Sequence, residues 1–184
     1  YNIRDIIILT GFLADKIESY FQQGKALGVS IQYYREKKPL GTTGGLKEIE
    51  DMLTHDFLLL YGDVMVEMEL AKLLDFHRQN QAVATLVLHP NDHPYDSDLV
   101  EISDDYKITA FHPKPHEKGK YYLNLVNAGF YVLSPYIMSH IQRNVNADFG
   151  RDIFPKIVSK VPMYGYITSE YAKDMGTPPV SYTH

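Results

Sequence analysis

The order of apolar segments predicts an α/β chain built on a doubly wound, mostly parallel sheet. Two observations carry this. First, runs such as Asp5-Ile6-Ile7-Ile8-Leu9-Thr10 and Phe57-Leu58-Leu59-Leu60-Tyr61 are short and continuously apolar. Without polar alternation they read as strands covered on both faces, as in parallel sheets. Second, strand-like and helix-like segments alternate up to residue 89, the signature of a doubly wound sheet.

In order, Asp5–Thr10 is the first strand. Leu13, Ile17, Tyr20 and Phe21 follow at i, i+4, i+7 and i+8, one face of an amphipathic helix, with Gly24 and Gly28 as stops. Val29–Tyr34 reads as a strand, 35–45 as a loop and 46–53 as a short helix. Phe57–Tyr61 is a buried strand halted by Gly62-Asp63. Leu70, Leu73, Leu74 and His77 line a helix face, and 82–88 is a further strand. Beyond 89 the pattern becomes α+β. Pro90, Pro94, Pro113 and Pro115 cluster in loops around strands at Leu99–Ile102 and 108–111. Leu125–Leu133 reads as a strand and 135–142 as a helix opened by Pro135. Residues 152–158 suit a short helix limited by Pro155, and 163–168 a last strand. No internal repeat or linker divides the 184 residues, so one domain is expected.

Composition narrows the function. Net charge is −5, which argues against a general nucleic-acid surface, where a basic excess is the rule. No apolar run reaches the roughly 18 residues of a membrane span, and no secretory signal pattern opens the chain. With no cysteine, disulfide and thiolate chemistry are excluded. A cytoplasmic location fits.

Several segments have the composition of a site. Pro39-Leu40-Gly41-Thr42-Thr43-Gly44-Gly45 lies between strand and helix. There the backbone can approach a ligand and the helix start offers free N–H groups, although on this segment alone a plain turn with a glycine cap is the simpler reading. It is neither a dinucleotide fingerprint nor a P-loop. Gly62-Asp63 ends a buried strand, where ligands of open sheets bind. A carboxylate there suits Mg²⁺ or a simple turn. Asp174-Met175-Gly176-Thr177-Pro178 offers a second metal carboxylate or an Asx turn. Lys114, between Pro113 and Pro115, is either a rigidly presented phosphate contact or a solvated loop lysine. Asn127-Ala128-Gly129 in a strand marks a ligand approach or a bulge. The pairs His89/His93 and His112/His116 have a zinc-like spacing, but each contains proline, so neither is helical. They read as loop histidines, with zinc binding as a minor alternative.

Taken in order, Leu40-Gly41-Thr42, Gly62-Asp63, Lys114-Pro115, Asn127-Ala128-Gly129-Phe130-Tyr131 and Asp174-x-Gly176-Thr177-Pro178 resemble the sugar-1-phosphate nucleotidyltransferase family, from about residue 1 to 180. Asp56–Asp63, His89–Glu101 and Asn124–Pro135 are most similar to the heptose- and mannose-1-phosphate guanylyltransferase branch, which is sometimes fused to a haloacid-dehalogenase-type phosphatase. The resemblance implies a Rossmann-like sheet with a nucleotide-binding half at 1–89 and an α+β sugar-phosphate-binding half at 90–184. It implies a transfer joining a nucleoside triphosphate, GTP favoured, to a sugar 1-phosphate, with pyrophosphate released. Asp63 and Asp174 would be catalytic and hold Mg²⁺. Leu40, Gly41, Thr42 and Gly62 would bind the nucleotide. Lys114 would hold the sugar phosphate, with Asn127, Gly129 and Asp98 at the sugar. A homo-oligomer is compatible with it.

Three departures stand out. Pro113 replaces the glutamate of the family's E-K-P. Asp98 stands where a glycine is frequent, able either to contact a sugar hydroxyl or to crowd the pocket. The family's first strand and G-G-x-G-T-R-L loop, which cradle the triphosphate, do not occur in these residues. That strand lies mid-sheet between those at 5–10 and 57–61, and its loss leaves backbone groups unpaired at about 1–3 kcal/mol each where buried. The expectation is an N-terminally truncated piece of a longer enzyme, inactive alone. The alternative is a non-catalytic nucleotide-sugar sensor or regulatory domain that kept the sugar pocket.

Overall fold

The computed structural model describes residues 3–90, 96–117 and 119–169, and the backbone of 171–174. Among these described residues, ten strands and four α-helices run in the order β1 (Asp5–Thr10), α1 (Ala14–Phe21), β2 (Ser30–Arg35), α2 (Gly41–Glu48), β3 (Phe57–Leu60), β4 (Val64–Glu67), α3 (Leu70–Gln79), β5 (Ala84–Pro90), β6 (Leu99–Ile102), β7 (Ile108–His112), β8 (Leu125–Leu133), α4 (Phe154–Ile157), β9 (Met163–Ile167) and β10 (Tyr171–Asp174). A π-turn over Phe149–Ile153 leads into α4, and Pro135–His140 is a 3₁₀ segment rather than an α-helix.

The α/β class agrees with the sequence, but the strand directions correct one expectation. The main sheet runs β7-β6-β8-β5-β9, with β3 added on β8. Within it only β5 and β9 are parallel, while β3–β8, β5–β8, β6–β7 and β6–β8 are antiparallel. The sheet is therefore mixed rather than mostly parallel. Apolar runs report burial on both faces, which a central antiparallel strand shares with a parallel one. β1 and β2 pair in parallel as a separate two-stranded sheet. Among the described residues β1 pairs only with β2, and β3 only with β8. β4 and β10, which the sequence did not suggest, form an antiparallel pair.

Strand β8 organises the site. Its second half, Phe130–Leu133, pairs with β3, and near its start Val126 pairs with Leu99 of β6 on the same side. Its opposite side follows β5 with a register shift between Leu86 and Leu88. The changeover falls at Gly129, whose φ of +69° lies in the left-handed region that favours glycine. The core surrounds this strand: Leu86, Leu88, Tyr131, Leu133, Phe149, Phe154 and Met163 are fully or almost fully buried. A second cluster of Leu73, Val87, Phe130 and Val132 lies under α3. Residues from both 1–89 and 90–184 thus share one sheet.

The first helix differs from its pattern. Tyr20 is 80% exposed and Leu13 48%, with only Ala14 of α1 buried. Ile6, Ile7, Ile8 and Leu9 of β1 are only half-buried, although their run reads as fully buried.

Candidate functional site

The gap on β8 between β6 and β3 is where the sequence-predicted residues gather. The Tyr61 N–H donates to Gly129 O (3.3 Å), and the Asn127 N–H to Asp98 O (3.0 Å). Tyr61 and Asp98 therefore flank residues 127–129 from the ends of β3 and β6. A β-carbon on Gly129 would lie 2.9 Å from the Tyr61 ring. The Tyr61 ring lying against its backbone accounts for a glycine at this position.

The polar groups here form one network. Asn127 Nδ2 donates to the Tyr131 hydroxyl (2.9 Å), which donates to the Tyr61 hydroxyl (3.5 Å). The Thr42 side chain lies close enough to the Tyr61 hydroxyl to oppose the effect of its burial. Thr42 Oγ1 donates to Asp148 Oδ2 (2.7 Å) and accepts from the Phe149 N–H (3.0 Å). Burial pushes the Tyr61 hydroxyl up to about 12, and burial drives Tyr131 well above its ordinary value, so both remain neutral hydrogen-bonding groups. Burial also raises the Asp98 carboxyl, opposed by the Lys114 N–H and reinforced by the charge of Asp148.

Asp98 ties in the lysine loop. Its Oδ1 accepts from the Lys114 N–H (3.1 Å), and Lys114 Nζ donates to Asp96 O (2.8 Å). That exposed contact leaves the ammonium next to Asp98 at the edge of the site.

The glycine-rich segment is not a free loop. α2 begins at Gly41, so Gly41–Gly45 form its first turns. A β-carbon on Gly41 would stand 2.3 Å from Ala147 O, and one on Gly45 2.9 Å from Glu36 Oε1. These glycines permit close packing against two neighbours. Glu36, just beyond β2, has an enclosed Oε1 with no hydrogen-bond partner of normal geometry. Burial raises its carboxyl, with the Gly45 N–H pulling the other way. Its other oxygen is 3.9 Å from where a β-carbon on Gly11 would lie. This carboxylate therefore sits beyond the carboxyl ends of the parallel pair β1–β2.

Gly62 and Asp63 are exposed in the turn between β3 and β4. β10 runs antiparallel to β4 with Asp174 opposite Val64, so the backbone brings Asp174 beside Asp63. Two acidic residues far apart in sequence thus occupy neighbouring backbone positions just past the end of β3. Hard oxygen donors at such a place suit Mg²⁺. Gly176, Thr177 and Pro178 lie outside the described residues, as does His93.

The described histidines of the two pairs bond separate partners. His112 Nε2 pairs with Glu101 Oε1 (2.8 Å), His116 Nε2 with Ser97 O (2.7 Å), and His89 Nδ1 with Pro90 O (3.0 Å). Among the described residues, no group of three or more His, Asp or Glu side chains is arranged to hold a metal ion.

Sequence reasoning missed Asp148, the Tyr61–Tyr131 hydroxyl pair and the partnership of Glu36 with Gly45. Asp148-Phe149-Gly150 carried one available signal: an aspartate ahead of a helical turn, which is a capping pattern.

A mixed α/β sheet with these groups at the gap on its central strand is the fold of the nucleotide-diphospho-sugar transferases. HddC from Yersinia pseudotuberculosis superposes with a TM-score of 0.82 at 21% identity, covering 98% of this chain and 77% of that one. The family model described as nucleotidyl transferase matches residues 1–183, and the chain belongs to that family. It is 33% identical over 180 residues to a mannose-1-phosphate guanylyltransferase of Mycobacterium tuberculosis, covering 96% of this chain and 49% of that protein. It is 31% identical over 179 residues to a UTP–glucose-1-phosphate uridylyltransferase of Synechocystis, covering 89% and 46%. The chain thus spans about half the length of the curated relatives it matches. Among the described residues no helix is long and apolar enough to cross a membrane.

Proposed function

We propose that this chain is the metal-carboxylate and sugar-binding part of a cytoplasmic sugar-1-phosphate nucleotidyltransferase that uses a nucleoside triphosphate, GTP favoured. The observation that carries the reading is the register of β10 on β4, which sets Asp174 beside Asp63 at the end of β3. In the reaction an oxygen of the sugar 1-phosphate attacks the α-phosphorus of the triphosphate. The bond from that phosphorus to the bridging oxygen breaks, and pyrophosphate leaves. Two unit charges about 4 Å apart repel by about 4 kcal/mol at an effective dielectric near 20. Asp63 and Asp174 would hold Mg²⁺, whose charge offsets that repulsion when bound. Lys114 exchanges its bond to Asp96 O for the sugar phosphate. Asp98 and Asn127, at the gap on β8, meet the sugar, while Leu40, Gly41, Thr42 and Gly62 border the nucleotide.

Glu36 supports the choice of GTP. A carboxylate only accepts hydrogen bonds. Guanine offers adjacent N1–H and N2–H donors on one edge, whereas uracil and thymine offer a single N–H between two carbonyl oxygens. The Glu36 carboxylate, placed beside Gly11 and Gly45 beyond the ends of β1 and β2, suits the former. The guanylyltransferase relative agrees with it.

The triphosphate cradle would come from a strand and loop upstream of these residues. Support lies in β1 pairing only with β2 and β3 only with β8 among the described residues. The half-buried Ile6–Leu9 run and Leu60, 48% exposed, agree with a strand still to be added. Pyrophosphate release by the complete polypeptide, measured with GTP, UTP, dTTP and ATP against mannose, glucose and heptose 1-phosphates, tests the reading. Release with GTP as the preferred triphosphate, and none from residues 1–184 alone, is the expected result. No release with any pair, alongside tight binding of a nucleotide sugar, would make the chain a sensor instead.

A further inference from the structure

The segment 39–43 is fastened to 146–149 by contacts from both sides. The Ala147 N–H donates to Leu40 O (3.1 Å), and the Thr43 N–H and hydroxyl both donate to Ala147 O (3.2 and 3.0 Å). Asn146 Nδ2 donates to Pro39 O (3.3 Å). Thr42 Oγ1 sits at the centre, donating to Asp148 Oδ2 and accepting from the Phe149 N–H.

Asp148 also holds the other side. Its Oδ1 accepts from the Gly150 and Arg151 N–H groups (2.9 and 3.2 Å), fixing the start of the π-turn. Gly150 in turn lies directly against Asp98, whose carboxylate holds the Lys114 N–H. π-helical turns are rare and, where they occur, frequent at functional sites. One carboxylate thus links, through successive contacts, the segment bordering the nucleotide to the two residues bordering the sugar phosphate.

We propose that Asp148, acting through Thr42, is a positioning residue that sets the nucleotide segment at a fixed distance from Asp98 and Lys114, so that the two substrates meet in line. This rests on the transferase reading above. Thr42 borders the nucleotide through its backbone, because its hydroxyl is engaged by Asp148 and the Phe149 N–H, so neither side chain need touch a substrate. Each substrate keeps its own contacts when the link is cut, so the defect falls on turnover rather than on binding.

The test uses the complete polypeptide and steady-state pyrophosphate release, varying each substrate in turn. Thr42→Val keeps the branched shape but removes the hydroxyl. Asp148→Asn keeps an acceptor for the Gly150 and Arg151 N–H groups but loses the charge facing Thr42. Because an angstrom of misplacement can cost about a hundredfold in rate, Thr42→Val is expected to lower kcat about tenfold or more, with both KM values within about twofold. Thr42→Ser should restore kcat to within about twofold of wild type, which a defect of folding or shape alone would not predict. The combined Thr42→Val/Asp148→Asn protein should lose no more than the worse single variant, because both cut the same link. Unchanged kcat in Thr42→Val, losses that multiply in the double variant, or a rise in KM alone would each overturn the inference while wild-type turnover keeps the transferase reading intact. A wild-type protein that releases no pyrophosphate overturns both.

Discussion

Asp98 Oδ2 stands 2.1 Å from the point where a β-carbon on Gly150 would lie. No side chain fits that gap, so the acid at 98 requires the glycine at 150. Gly150→Ala should therefore displace Asp98, lowering both the melting temperature and the apparent affinity for the sugar phosphate. In an Asp98→Ala background the same change should cost far less in stability. Chemical denaturation of the four proteins gives the coupling directly. Equal losses in both backgrounds would show that Asp98 is not the obstacle.

The turn between β3 and β4 carries the sharpest functional prediction. Asp63→Asn or Asp174→Asn in the complete polypeptide should abolish pyrophosphate release while leaving circular dichroism and melting unchanged, since Asp63 is exposed in the turn. Near-normal turnover in either variant would remove the two-carboxylate metal site. Titration with Mg²⁺ should separate wild type from both variants.

Gly129 should tolerate no side chain. Its φ of +69° and the 2.9 Å approach of the Tyr61 ring both oppose a β-carbon. Gly129→Ala is expected to destabilise by about 1–3 kcal/mol, the usual range for a strained backbone, read by urea denaturation. Tyr61→Ala combined with it should recover only the part due to the ring.

His77 should make the fold sensitive to mild acid. It is 2% exposed, its Nδ1 bonds Thr85 Oγ1 at 2.8 Å, and Nε2 lies 3.7 Å from Asp56 Oδ2 without a hydrogen bond. Burial lowers its pKa, with the charge of Asp56 opposing. A base whose folded pKa lies below its unfolded one binds protons better when unfolded. Stability is therefore full above the ordinary histidine range and falls as pH drops through that range towards the folded value. Replacement by Gln should flatten the stability profile there, as measured by denaturation between neutral and mildly acidic pH. A profile as steep as wild type would show that the acid sensitivity lies elsewhere.

The elements were largely legible because burial leaves a mark on composition. β6 and β8 occupy the residues the apolar runs indicate, and Leu73 and His77 face inward from α3 as the spacing requires. Strand direction was not legible, because Leu125–Leu133 is as apolar as any parallel strand although it runs antiparallel to three neighbours. α1 misled for a different reason: its apolar stripe is real, but Tyr20 meets little of this chain. At the site, Asp98, Lys114 and Asn127 were named from the sequence and do converge. Asp148 was not, since its importance lies in a hydrogen bond to Thr42 more than a hundred positions away, and local pattern has no reach over that span.

The position of β8 also bears on how the chain folds. Its neighbours β3, β5 and β6 come from three separate upstream segments, and none is joined to it by a tight hairpin. No local contact can hold β8 in place while the rest assembles. Several large loops must close before its hydrogen bonds repay the entropy, which places this chain among slow folders of high contact order. Until then Phe130–Leu133, apolar and unpaired, is the stretch with most to gain from pairing with the wrong strand.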